Sequence, residues 1–163
     1  MTPPRPNVVG LITLARAELN ADASQALIAA LNAELSALYP EPGANHFSLQ
    51  PEEVRGKRGA FLIASQNGTP VGCGAVRLIE PEVGELKRMY VSPAARGTGL
   101  GRRLVEALEA AARSIGAKRL VLETGIRQHA AIALYRATGF QPIPLYREYL
   151  DSPTTSLCFG KDL

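Results

Sequence analysis

The amino-acid sequence predicts a mixed α/β fold in which strands come first and strand and helix then alternate. Three observations carry that expectation. Asn67-Gly68 is a two-residue hairpin signal between two apolar, β-branched runs. Residues 99–115 carry apolar side chains at helical spacing over about four turns. Short β-rich runs stand on both sides of that helix. The 163 residues suit a single domain spanning 1–163. With 46% hydrophobic and 20% charged residues, the chain can bury a core.

Taken in order, residues 8–14 are apolar and β-branched enough for a first strand. Asp22 and Ser24 are candidate caps for a helix whose apolar stripe is Ala26, Leu27, Ala30, Leu31, Leu35 and Leu38. The Pro40-Glu-Pro-Gly43 segment ends it, and a short helix is expected after Pro51. Residues 60–65 and 71–79 form the hairpin, Pro81 breaks the second run, and 85–91 is the next strand. The long helix follows, with Leu100, Leu104, Val105, Leu108, Ala112 and Ile115 on one side. Residues 119–123 make a short buried strand, and 130–138 a helix stopped by Gly139. Final strands are expected from Phe140 onward and over 155–159.

Composition narrows the function. No apolar run approaches the 18 or so residues a membrane span needs, and the N-terminus lacks the pattern of a signal peptide. A cytoplasmic protein without a membrane partner is expected. Cys73 and Cys158 have neither CxxC nor Cys/His spacing, so neither a metal site nor a disulfide is expected. The net charge of +3 suits an anionic ligand but is too small to argue for nucleic acid. The charge is concentrated. Between Pro93 and Arg119, six basic residues (Arg96, Arg102, Arg103, Arg113, Lys118 and Arg119) face only Glu106 and Glu109.

That basic segment contains the most informative stretch, Val91-Ser-Pro-Ala-Ala-Arg96-Gly97-Thr98-Gly99-Leu100-Gly101-Arg102. It leaves a strand, turns at Pro93 and opens the long helix. The first amides of a helix lack internal partners and carry the positive end of its dipole. Glycines there let the main chain approach a phosphate, and Arg96 and Arg102 can add charge-assisted hydrogen bonds. A Walker loop is ruled out, because no GxxxxGK[ST] string exists. A dinucleotide fingerprint needs GxGxxG, whereas Gly97, Gly99 and Gly101 give GxGxG. Glu123 does stand 22 residues past Gly101, near where a ribose-binding acid would lie, but only one β-α-β unit is available. A plain glycine-rich turn is the remaining alternative.

With Arg96, Gly99 and Gly101 placed behind Val91-Ser92-Pro93, the loop resembles the pyrophosphate loop of the GNAT superfamily of N-acetyltransferases. A second family element, Ala-x-x-Leu-Tyr followed by Gly-Phe, is matched by Ala131, Leu134 and Tyr135 with Gly139-Phe140. Gln128 departs from the pattern, standing where many members place an Asn that contacts CoA. The resemblance implies a central, mostly antiparallel sheet with two splayed parallel strands, here 85–91 and 119–123, flanked by helices. It implies acetyl-CoA as co-substrate, held by Met89, Tyr90, Val91, Arg96, Gly97, Thr98, Gly99, Leu100, Gly101, Arg102, Gln128 and Tyr135. It also implies direct attack of an amine on the thioester, with a main-chain amide near Met89–Val91 stabilising the oxyanion.

By family position Tyr135 is the expected general acid, protonating the departing thiolate; the alternative is a tyrosine packed at a helix edge. A base is also needed, since an alkyl amine with a pKa of about 10.4 is almost wholly protonated at pH 7. Glu85 is the expected base, sharing a strand face with Lys87 and Met89; the alternative is a salt bridge to Lys87. His46 and His129 are the histidines that could titrate near neutrality. Phe47, Arg77, Arg88, Tyr146 and Tyr149 could shape the acceptor pocket, and two arginines facing it would favour a carboxylate-bearing amine. The expected acceptor is a small-molecule amine. A protein N-terminal acetyltransferase and a CoA-binding module without turnover are the alternatives, and a homodimer is compatible with the resemblance.

Overall fold

The computed structural model describes residues 11–41 and 48–163. His46, Phe47 and the start of the expected first strand lie outside the described residues. Among the described residues, seven strands form one sheet in the order β1-β2-β3-β4-β5-β7-β6. They are β1 (Ile12–Arg16), β2 (Gly59–Gln66), β3 (Thr69–Glu80), β4 (Val83–Val91), β5 (Arg119–Gly125), β6 (Gln141–Ile143) and β7 (Ser156–Asp162). They are accompanied by the α-helices α1 (Asp22–Leu38), α2 (Leu100–Ser114) and α3 (His129–Ala137). Every neighbouring pair is antiparallel except β4 and β5, which the α2 crossover forces parallel. This is the mixed α/β fold that the sequence predicts, with the mostly antiparallel, helix-flanked sheet that the GNAT resemblance implies.

The β2–β3 hairpin turns where expected, with Asn67 and Gly68 at φ 51° and 82°. Such a pair of left-handed residues matches the twist of the flanking strands. The two faces of the sheet are covered separately. Below α2, Val105, Leu108 and Ala112 are fully buried against Val76, Leu86, Leu120 and Leu122, and Leu104 against Ala64, Val71 and Ala95. Each leucine so enclosed contributes about 1.5–3 kcal/mol relative to an exposed one. Tyr135 and Phe140, at the end of α3, join the same cluster. On the opposite face, Leu27 and Leu31 of α1 meet Phe61, Cys73, Ala75 and Tyr90.

One irregularity in β4 creates the site. Leu86 lies in the cluster under α2, yet Tyr90, four residues on, lies in the cluster under α1. Simple alternation would put both on one face. Arg88 has φ 57°, and the β3–β4 register shifts between Cys73 and Ala75 at that point. This is a β-bulge, which adds a residue to one strand, bends it and reverses the parity of the residues beyond it. Met89 therefore faces the α2 side instead of sharing a face with Glu85 and Lys87. Pairing between β4 and β5 covers only Val83–Leu86 against Arg119–Leu122. Beyond Leu86 the two strands separate.

Candidate active site

The separation of β4 and β5 opens a cavity of about 90 Å³ lined by Leu86, Lys87, Arg88 and Met89 on one side and Glu123, Thr124 and Gly125 on the other. Leu31, Asn32, Leu35 and Tyr39 of α1 and its C-terminus line it too, with Tyr149, Thr155 and Ser156. Tyr39 is fixed there by a 2.7 Å hydrogen bond that its hydroxyl oxygen accepts from the Arg127 amide. A Cβ on Gly125 would overlap that tyrosine ring and hydroxyl, so the close approach of α1 to β5 requires glycine at 125.

A longer groove of about 470 Å³ continues from this cavity, sharing Leu31, Leu35, Met89, Gln128 and Tyr135 with it. Its floor is Tyr90, Val91 and the loop residues Ala95, Arg96, Gly97, Gly99, Leu100 and Gly101. The loop is open. Gly97 and Gly99 have φ 77° and 83°, and a Cβ at either would meet nothing within 4 Å. Their glycine requirement is thus one of backbone conformation, with free space in front of the chain. The first hydrogen bond of α2 runs from the Arg103 amide to the Gly99 carbonyl, so the amides of Leu100, Gly101 and Arg102 precede the intrahelical ladder. This is the cradle that a diphosphate fits.

Gly99→Ala places a left-handed alanine at this position, costing about 1–2 kcal/mol of backbone strain. Its expected result is a roughly tenfold or greater loss of CoA affinity in calorimetry, with little change in the rest of the fold. Unaltered affinity would mean that the loop does not hold the diphosphate.

Most residues expected to hold the cofactor line the groove: Met89, Tyr90, Val91, Arg96, Gly97, Gly99, Leu100, Gly101, Gln128 and Tyr135. Thr98 and Arg102 do not. The Thr98 hydroxyl donates to the Ala95 carbonyl at 2.6 Å, closing the turn, and Arg102 donates to the Ala137 carbonyl at 3.2 Å, tying α2 to the end of α3. Arg96 lines the groove but also grips Glu34 of α1 through two contacts of 2.8 and 2.6 Å. It thereby joins the loop to α1, beyond the phosphate contact expected of it. The α1 and α3 walls, including Leu38, Ala131 and Leu134, were legible in sequence only as apolar helix faces.

Glu85 is placed differently from the expectation. It is fully buried, and it is not among the residues lining the cavity. One oxygen accepts from Arg77 at 2.9 Å, the other from the Tyr146 hydroxyl at 2.6 Å and the Tyr149 hydroxyl at 3.2 Å. Arg77 in turn holds Glu53 at 2.6 Å. Lys87 lies 3.9 Å from Glu85, so the salt-bridge alternative is present but secondary to Arg77. This network fastens the segment around Tyr146 and Tyr149 to β3 and β4, and Arg147 reinforces it by donating to the Ile79 carbonyl at 3.0 Å.

A carboxyl with the opposite character faces the cavity. Glu123, near the end of β5, is pushed up to about 7, first by burial and then against a hydrogen bond from Ser156 that favours the charged form. Tyr135 lines both cavity and groove and packs edge-on to Phe140, with ring centroids 5.8 Å apart. Burial, with the Glu123 charge behind it, holds the Tyr135 phenol well above its ordinary value. A protonatable carboxyl and a protonated phenol thus border one small chamber at the end of the glycine-loop groove.

Residues 24–140 match the family model described as the acetyltransferase (GNAT) family. The chain belongs to the GNAT family of acetyltransferases. As a GNAT protein it is 45% identical over 134 residues to an IAA acetyltransferase of Azospirillum brasilense, covering 79% of this chain and 84% of that one. A Klebsiella pneumoniae structure assigned as an acyl-CoA N-acyltransferase superposes with a TM-score of 0.79 at 38% identity, over 94% of this chain and 98% of the other. An N-acetylglutamate synthase of Neisseria gonorrhoeae, complexed with coenzyme A and N-acetyl-glutamate, gives a TM-score of 0.70 at 25% identity, over 94% of this chain and 35% of that one. The activity of this GNAT chain is therefore acetyl transfer with acetyl-CoA.

Proposed function

We propose that the chain acetylates the primary amine of a small molecule, with Glu123 as base and Tyr135 as acid. The observation that carries this reading is the position of both groups on the chamber where β4 and β5 diverge, beside the mouth of the glycine-loop groove. Acetyl-CoA, held by the loop amides and by the main chain of Met89–Val91, supplies an activated acyl group and a thiol leaving group. Glu123 accepts a proton from the acceptor ammonium, since a carboxyl near pH 7 is matched to that task. Tyr135 donates a proton at the leaving sulfur. Glu85, its oxygens already engaged by Arg77 and two tyrosines, holds the wall in place.

Two features support a small acceptor. Tyr149, 2% exposed, closes the chamber wall, and its segment is fastened across the sheet by Tyr146 and Arg147. The Neisseria relative holds N-acetyl-glutamate, a small acetylated compound. The deciding experiment is release of free thiol from acetyl-CoA with amino acids, polyamines, aminoglycosides and peptides with free N-termini. Turnover of a small amine is expected. Turnover of peptides alone would make it a protein N-terminal acetyltransferase, and binding of acetyl-CoA without thiol release would make it a binding module.

A further inference from the structure

Besides Tyr135, the hydroxyls of Tyr39 and Tyr149 border the chamber, and they differ in what they have left to offer. The Tyr149 hydroxyl is engaged. It donates to Glu85 at 3.2 Å and accepts from Lys87 at 3.2 Å. Lys87 belongs to the same network, 3.9 Å from both Glu85 and Glu148. Tyr39 is 4% exposed, and its oxygen accepts from the Arg127 amide at 2.7 Å. Among the described residues its hydroxyl makes no other hydrogen bond. A phenol oxygen has a second lone pair and a hydrogen to give, and here both are unspent on a buried group.

Tyr39 is held firmly. The Arg127 guanidinium lies 4.9 Å from the centroid of its ring, and bonds the Leu38 carbonyl at 2.7 Å and Glu41 at 2.6 Å. The Tyr39 hydroxyl lies where a side chain on residue 125 would lie, since a Cβ on Gly125 would overlap it. β5 pairs with β7 in unbroken register from Arg119 to Gly125, so positions 123 and 125 share a face. From the end of α1, Tyr39 thus supplies the side chain that Gly125 lacks, next in line to Glu123 on the chamber wall. Same-face positions of a strand lie about 6.6 Å apart. One nitrogen hydrogen-bonded to two oxygens spans up to about 5.8 Å between them.

We propose that Tyr39 and Glu123 form a two-point seat for the acceptor nitrogen, in which Tyr39 orients the amine for attack and selects primary amines. The inference rests on the acetyl-transfer reading above, with Glu123 as base, and adds a second contact to the same nitrogen. A primary ammonium has three N–H bonds. Once Glu123 has taken one proton, the amine keeps two N–H bonds and a lone pair. One N–H donates to the Glu123 carboxyl and the other to the second lone pair of Tyr39, which leaves the nitrogen lone pair directed at the thioester carbon. Tyr39 gains and loses no proton. An N-methyl amine keeps a single N–H at that stage and fills only one of the two contacts.

The test compares the best primary amine from the thiol-release screen with its N-methyl derivative, in the parent and in Tyr39→Phe. The variant keeps the ring beneath Arg127 and loses only the oxygen. Its kcat/KM for the primary amine is expected to fall by about threefold to tenfold, the range of one hydrogen bond, while the N-methyl amine and the affinity for acetyl-CoA stay within about twofold. The parent's preference for the primary amine narrows by the same factor. An equal fall for both amines, or none for either, overturns the seat and leaves acetyl transfer standing. So does a fall in acetyl-CoA affinity alone, which is the mark of an Arg127 amide left without its acceptor. If Tyr39→Phe does not fold, the parent decides: a preference for the primary over the N-methyl amine below about threefold overturns the seat, and a larger one upholds it. Absence of thiol release with any amine overturns acetyl transfer itself, and the seat with it.

Discussion

Tyr135→Phe is expected to lower kcat by about tenfold to thousandfold while acetyl-CoA binds as before. The substitution deletes one hydroxyl and keeps the ring, so the edge-on contact with Phe140 and the burial under α2 survive. Loss of a buried hydroxyl costs stability by roughly 1 kcal/mol, too little to unfold the chain. Because burial raises the phenol's pKa, Tyr135 is protonated throughout the working range and can donate but not act as base. A thiol with an ordinary pKa of about 8.5 leaves moderately well unaided, which bounds the effect. An acetyl thioester of a more acidic thiol should therefore narrow the gap between variant and parent. A tyrosine that merely packs would show a lowered Tm, an unchanged kcat and no dependence on the leaving group.

The conformation of the glycine loop was legible in sequence for a local reason. Positive φ at Gly97 and Gly99 is a property that only glycine adopts readily, and it stands between a strand and a helix that periodicity alone identifies. The same holds for the Asn67-Gly68 turn and for Gly139, at φ 97°, which stops α3. Hidden features were those set by distant contacts. Nothing in Lys87-Arg88-Met89 announces a bulge, because Arg88 takes its left-handed conformation from the mismatched register with β3. That one residue reverses the strand's parity, so alternation wrongly grouped Met89 with Glu85 and Lys87. The order β5-β7-β6 was also out of reach, since β7 enters between β5 and β6 from the far end of the chain.

The different surroundings of the two carboxylates, Glu85 and Glu123, have the same origin. Glu85 and Glu123 are both carboxylates on parallel strands, paired through Glu85 with Val121. What separates them is company. Glu85 lies in the paired half of the gap, beside Arg77 and the two tyrosines contributed by a segment some sixty residues later. Glu123 lies past the last paired residue, where the strands have parted. Sequence displayed Glu123 only as a possible ribose ligand in a dinucleotide fold, because its distance from Gly101 was visible and its opening onto the gap was not.

Glu123→Gln should produce the largest catalytic effect, and one that shrinks as pH rises. In the parent, the reactive pair is an ionised Glu123 and an acceptor ammonium, so kcat/KM climbs through about pH 7 and then levels. The glutamine variant must await neutral amine, of which an alkyl amine with pKa near 10.4 offers about 0.04% at pH 7. Its deficit is therefore up to about a thousandfold at pH 7, and it closes by about tenfold per pH unit towards pH 10. Glu85→Gln should leave the parent's levelling point in place. Stability moves the other way. A carboxyl whose pKa rises from 4.5 to about 7 on folding stabilises the fold below the lower value and loses that contribution as pH climbs through about 7. Relative to the parent, Glu123→Gln should thus gain roughly 2–3 kcal/mol between pH 4.5 and pH 8 in denaturant titrations. A constant deficit across pH, with parallel stability curves, would mean that Glu123 neither carries the proton nor sits in the dry chamber that raises its pKa.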